Sequence, residues 1–151
     1  MSIRDQVIES TNEIFTTMVM MEVSPSEIQD QEPRLHSNSI SGVIGLAGKV
    51  KGVLAIHMPE SIAFKITGSF LGIDVDSMNE DVEDAIGEIA NMLGGNLKTI
   101  LSDSGKDIDL SLPTTISGKE YDFQSLKNAE REVIIFDTDG GGFIIEIQLE
   151  A

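Results

Sequence analysis

The chain contains no cysteine. Disulfides, thiolate metal sites and a cysteine nucleophile are therefore excluded, and the absence fits a reducing compartment. It has no tryptophan, one tyrosine and six phenylalanines, so its core must be built mainly from Ile, Leu, Val and Met. Ten Lys and Arg stand against 26 Asp and Glu, a formal net charge of −16. Nucleic-acid binding rests on cations that neutralise phosphates, and attraction to an anionic membrane rests on the same groups, so neither fits. A partner with a basic or mixed surface does fit, although the same acidity also simply keeps a globular protein in solution. Two scattered histidines offer little to a metal ion. No run is long and apolar enough to span a bilayer. The start, Met1-Ser2-Ile3-Arg4-Asp5-Gln6, has neither the basic opening nor the apolar stretch of a signal peptide. The expected location is the cytoplasm.

What is present is the balance of a globular protein, 40% hydrophobic and 24% charged, on a length of 151 residues that suits one domain over 1–151. Ile3, Val7, Ile14, Phe15 and Met18 trace one apolar stripe and predict a helix over 3–21. Met18, Met20 and Met21 crowd its end and read as core filler sooner than as an adaptable binding surface. Residues 23–39 hold Pro25 and Pro33 and predict a loop with at most one irregular strand. From Ile40 to Met58 the pattern is β, interrupted at Gly48-Lys49, which predicts a hairpin. His57, at its end, has no second histidine or acid cluster beside it and is expected to be structural. Pro59 suits the first turn of a helix that Ile62, Ile66 and Phe70 carry to Gly72, a C-cap candidate. A third helix is predicted over 78–103 and a strand over 108–117. Val133–Phe136 and Phe143–Leu149 flank Asp137-Thr138-Asp139-Gly140-Gly141-Gly142, a second hairpin. That glycine triplet would cradle a phosphate only with a helix starting behind it, and a strand comes next instead. Hairpins imply antiparallel pairing, and the helices should cover one face of the sheet. The predicted class is an α+β two-layer sandwich.

The third helix carries the signal. Ser77-Met78-Asn79-Glu80 has capping-box spacing, and Glu80, Asp81, Glu83 and Asp84 crowd the turns where the helix dipole favours acids. Val82, Ile86, Ile89, Leu93, Leu97 and Ile100 form a buried stripe. At about 100° per residue, Asp84, Glu88, Asn91 and Gly95 fall on the opposite face, with Glu88 and Asn91 as neighbours. Gly87, Gly94 and Gly95 each cost a helix interior about 1 kcal/mol relative to Ala. Close packing can justify Gly87 and Gly94. Gly95 points outward, so either it leaves a bare spot for another protein's backbone or the helix breaks at Gly94-Gly95. An exposed Glu beside an exposed Asn is by itself a cheap pattern, and Glu9 and Asn12 repeat its spacing.

The longer string Glu88-Ile89-Ala90-Asn91-Met92-Leu93-Gly94-Gly95-Asn96 resembles the signature of the CheC/CheX/FliY phosphatases. Phe15-Thr16-Thr17-Met18 resembles the end of the first helix in CheX-type members, and Ser41-Gly42-Val43-Ile44-Gly45-Leu46 with Lys51-Gly52 resembles their first hairpin. Phe70-Leu71-Gly72 and Pro113-Thr114-Thr115-Ile116-Ser117-Gly118 match further stretches, in order, over nearly the whole chain. The resemblance implies a CheC-like fold and hydrolysis of the aspartyl phosphate of a phosphorylated CheY-like response regulator. It implies that Glu88 pairs with a regulator lysine and that Asn91 holds the attacking water. Asp84 and Gly95 would help to dock the regulator. It further implies Mg²⁺ in the regulator, no cofactor on this chain, and a homodimer joined through its sheets. CheC-type members carry the motif twice; here no Gly-Asn stands after Glu9 and Asn12, so that pair reads as coincidence. A non-enzymatic module that binds a regulator or a flagellar switch component is the alternative.

Overall fold

The computed structural model describes residues 2–27, 35–102, 106–122 and 129–150. Among them, α1 (Ile3–Ile14) runs into a π-helical turn (Phe15–Val19), followed by β1 (Ser24–Pro25), β2 (Leu35–Gly48), β3 (Gly52–Pro59), α2 (Glu60–Leu71) and α3 (Glu80–Leu101). The chain ends with β4 (Ile108–Leu110), β5 (Thr114–Asp122), β6 (Ala129–Thr138) and β7 (Gly141–Glu150). The seven strands form one sheet in the order β1-β6-β7-β3-β2-β4, with β5 also paired to β2. Every pairing is antiparallel.

Alternation along the strands decides what lies between sheet and helices. Ile40 and Ile44 of β2, Leu54, Ile56 and Met58 of β3, and Phe143, Ile145 and Ile147 of β7 are buried against Phe15, Ile62, Ile66, Ile86, Ile89 and Leu93. Phe143 stacks between Phe15 and Phe136, with ring centroids 4.9 and 5.2 Å apart. The two-layer α+β arrangement expected from the sequence is therefore the observed one.

Several boundaries differ from expectation, each for a local reason. The first helix does not run regularly to residue 21. It widens into the π turn after Ile14 and stops at Met20, which adopts a left-handed conformation with φ 64°. The Met20 amide caps the turn by donating to the Phe15 carbonyl. This irregularity turns Met18 and Met20 outward, 51% and 73% exposed, so they are not core filler; Met21 does pack on the core. Strand β2 begins at Leu35, inside the stretch read as loop, because its first half pairs with β5 through backbone bonds that a polar sequence can make. Residues 28–34, with Pro33, lie outside the described residues. The strand expected over 108–117 is two strands, divided at Leu112-Pro113, where proline has no N–H to give to a ladder. Both pair with β2, and Ser111 between them accepts a hydrogen bond from the Gly45 amide at 2.8 Å. The final hairpin is longer than expected and tighter. Thr138 pairs with Gly141, leaving Asp139-Gly140 as a two-residue turn with Gly140 at φ 102°. The hairpin at Gly48-Lys49 and the C-cap at Gly72, φ 70°, stand as expected.

Candidate functional site on the exposed face of the third helix

Helix α3 is unbroken from Glu80 to Leu101, so Gly94-Gly95 does not interrupt it. Its start is set by Asn79, whose side-chain oxygen accepts from the Val82 amide at 3.1 Å. The N-cap is therefore Asn79 and not the Ser77 of the Ser77–Glu80 box expected from spacing. Val82, Ile86, Ile89, Leu93 and Leu97 are buried as the stripe requires, while Ile100 is only half-buried. Asp84 and Glu88 are exposed, and Asn91 and Gly95 are half-exposed on the same side. The structure thus brings together all four residues singled out in the sequence.

The height of α3 above the sheet is set by glycines on both surfaces. A Cβ on Gly94 would lie 3.0 Å from Cγ2 of Ile44 on β2. A Cβ on Gly42, also on β2, would lie 3.0 Å from the Ile86 carbonyl and 3.1 Å from the Ala90 Cβ. Helix and strand approach more closely than ordinary side chains permit. Sequence reasoning missed Gly42, since a strand glycine signals a close backbone approach only once its partner is known. Gly87 is less constrained, because its Cβ would meet Pro113 and Thr115 at 3.7 Å, ordinary contact. At Gly95 an added Cβ would meet nothing within 4 Å, so packing inside this chain gives no reason for glycine there.

Beside Glu88 the surface dips into a shallow depression of about 370 Å³ lined by Glu83, Asp84, Gly87, Glu88, Pro113 and Thr115. Pro113, which divides β4 from β5, forms its far wall. Three carboxylates and no cation line the depression, so its field favours an approaching Lys or Arg. Among the described residues no group of three or more His, Asp or Glu is placed to hold a metal ion. Glu9 and Asn12 sit on α1, exposed and half-buried respectively.

A second polar cluster lies on the sheet face away from the helices. His57 Nδ1 is 2.5 Å from Ser41 Oγ, which is 2.7 Å from the Tyr121 hydroxyl. His57 Nε2 is 3.2 Å from Glu146, whose other oxygen accepts from Arg131 at 2.7 Å and Gln148 at 2.6 Å. Burial alone would raise the Glu146 pKa, but hydrogen bonds from His57, Arg131 and Gln148 outweigh it and hold the carboxyl at about 2. Burial raises the Tyr121 phenol above its usual value, against the hydrogen bond with Ser41. Ser41, His57 and Glu146 are each at most 1% exposed, so no substrate reaches them. This cluster satisfies buried polar groups. Asp84 and Glu88 of α3, by contrast, are exposed.

Residues 40–137, which include all of α3 and its depression, match the chemotaxis phosphatase CheX family. The chain belongs to that family. A curated relative, the CheY-P phosphatase CheX of Thermotoga maritima, is 32% identical over 89 residues, which are 58% of this chain and 57% of the relative. The match thus takes in little more than half of that protein's length. The crystal structure of the CheX chemotaxis protein from Vibrio vulnificus superposes with a TM-score of 0.85 at 30% identity, covering 98% of this chain and 99% of that one. A CheX from Borrelia burgdorferi, solved as a complex with CheY, BeF3 and Mg²⁺, shares the fold at a TM-score of 0.79 and 20% identity over 99% of both chains.

Proposed function

We propose that this chain, working as a single domain in the cytoplasm, hydrolyses the aspartyl phosphate of a phosphorylated CheY-like response regulator. The observation that carries the reading is the placement of Glu88 and Asn91. They are neighbours on the outward face of an unbroken helix, one turn from a glycine that packing does not require, within the segment that matches the family. Membership of a family of chemotaxis phosphatases and the CheY-P phosphatase activity in the relative's name support it. That a CheX of the same fold is solved with CheY, BeF3 and Mg²⁺ supports the choice of partner.

In this reading Glu88 makes a charge-assisted contact with a lysine of the regulator. Asn91 reaches the phosphorylated aspartate, and its carboxamide oxygen accepts a hydrogen bond from a water. The amide has no useful pKa, so it orients the water without deprotonating it. The water oxygen attacks phosphorus in line with the bond to the aspartate oxygen. That bond breaks, releasing inorganic phosphate and a free aspartate. Phosphoryl transfer of this kind needs positioning and charge more than covalent help, which is what a rigid helix with two polar side chains can supply. Mg²⁺ belongs to the regulator and neutralises charge on the phosphoryl group there. Asp84 adds to the acidic approach surface, and Gly95 leaves room for the regulator's backbone. In keeping with the resemblance to CheX-type proteins, the working form is a homodimer joined through its sheets.

The test is phosphate release from a phosphorylated, Mg²⁺-bound regulator of the same cell. The wild-type chain should accelerate release, and Asn91→Ala should remove the acceleration while binding persists. Binding that leaves release unchanged or slows it would favour a non-enzymatic module.

A further inference from the structure

Across the crest of α3 from Asn91 a second depression opens, a groove of about 690 Å³ between α1 and α3. One wall includes Glu9 and Glu13 of α1 and Met18 of the turn that follows it, and its α3 wall includes Met92, Asn96 and Thr99. Met92 is the residue after Asn91, so the groove begins within one helical turn of the proposed catalytic pair. Asn96 Nδ2 donates to Ser10 Oγ at 2.6 Å, which ties the two helices together at this groove. Among its lining residues are two carboxylates and no Lys or Arg.

The groove ends beside an irregular turn that buries Phe15 and Val19 and leaves its methionines exposed. Met18 lies in the π turn and is 51% exposed. Met20, in the left-handed conformation that ends the turn, is 73% exposed. The hydroxyl of Ser69 on α2 holds the end of this turn by donating to the Val19 carbonyl at 2.5 Å. Methionine suits surfaces that must adapt to an apolar partner.

We infer that this groove is a second part of the docking surface for the same phosphorylated response regulator. The inference rests on the phosphatase reading of the α3 face. Glu9 and Glu13 receive a Lys or Arg beside the regulator's phosphorylation site, and Met18 with Met92 receives an adjoining apolar side chain. Two observations select this occupant. The groove adjoins the face that carries Glu88 and Asn91, since Met92 and Asn96 in its wall directly follow Asn91 and Gly95 along α3. Its acidic rim would also repel a second copy of a chain of net charge −16, but would attract a basic segment. Glu9, Glu13 and Met18 would then be positioning residues, with the chemistry left to Asn91.

The experiment compares wild type, Asn91→Ala, Glu9→Lys/Glu13→Lys and Met18→Gln. It uses steady-state turnover of phosphorylated regulator and direct titration with the regulator loaded with BeF3⁻ and Mg²⁺. The charge-reversal variant should raise KM and Kd about tenfold or more, leave kcat within about twofold, and flatten the dependence of binding on salt. Met18→Gln should raise both constants about threefold or more with kcat unchanged, on the scale of one lost apolar contact. Unchanged KM and Kd in both variants, with turnover still lost in Asn91→Ala, would overturn the groove while leaving the phosphatase reading intact. Variants that lose self-association but bind the regulator normally would also overturn it, in favour of a second copy. Failure of the wild type to bind or dephosphorylate the regulator would remove both readings together.

Discussion

Adjacent glycines in one helix make the sharpest stability comparison. Gly94→Ala and Gly95→Ala are the same chemical change at neighbouring positions of α3, and each should gain about 0.5–1 kcal/mol of helix propensity. At Gly95 the new methyl meets nothing within 4 Å, so the gain stands uncancelled. Gly95→Ala should therefore stabilise the chain by about 0.5–1 kcal/mol and raise Tm by roughly 1–4 °C for a chain of this size. At Gly94 the methyl lands 3.0 Å from Cγ2 and 3.5 Å from Cβ of Ile44. Ile44 is 0% exposed and paired with Leu54 of β3, so it has little room to step aside. Overpacking of that kind costs about 1–3 kcal/mol, which leaves Gly94→Ala between neutral and about 2.5 kcal/mol destabilised. Urea unfolding at a common m-value reads the difference as a shift in midpoint. Destabilisation at Gly95, or equal shifts at both sites, would refute the packing argument. The functional half is separate: a stabilised Gly95→Ala that dephosphorylates its regulator less efficiently would show that the glycine is kept for docking. Full activity in the stabilised variant would remove Gly95 from the interface.

Two other contacts give outcomes of their own. Glu146 is held at about 2 against an ordinary 4.5, so it binds fewer protons folded than unfolded over that window. It therefore stabilises the fold above pH 4.5, and the contribution, on the order of 3 kcal/mol, is lost as pH falls toward 2. Glu146→Gln should flatten the acid limb of the stability curve between about pH 5 and 2.5, and parallel curves for the two proteins would contradict the role. Asn79→Ala should lower stability by about 1 kcal/mol by uncapping α3, whereas Ser77→Ala should change it by less than about 0.5 kcal/mol. Equal effects in chemical denaturation would restore the capping box read from the sequence.

Helix α3 was legible because its apolar stripe is long and regular, and the same periodicity placed Asp84, Glu88, Asn91 and Gly95 on the open face. Its cap was not, because Ser77 and Asn79 are both good capping residues and only the backbone selects between them. The methionines misled for a similar reason. A stripe drawn at one angular step assumes a regular helix, and the π turn at Phe15–Val19 breaks that step, which exposes Met18 and Met20. The start of β2 was hidden because it is polar, and a strand held by backbone bonds to β5 needs no apolar alternation. The cluster around His57 and Glu146 could not be read at all. Residues 41, 57, 121, 131 and 146 meet only after the sheet assembles. Family resemblance, not spacing, distinguished Glu88-Asn91 from Glu9-Asn12, since both pairs put an exposed acid beside a half-buried amide.

The central claim is that Asn91 positions the water that cleaves the regulator's aspartyl phosphate. The most direct test is the rate of phosphate release from a phosphorylated, Mg²⁺-bound regulator, measured with wild type, Asn91→Ala and Glu88→Ala, alongside binding of the BeF3⁻-loaded regulator. The account predicts acceleration by the wild type and a loss of about 100-fold or more in Asn91→Ala with binding largely intact, on the scale of a lost positioning group. It also predicts a loss of both turnover and affinity in Glu88→Ala. Full activity in a folded Asn91→Ala would contradict the account.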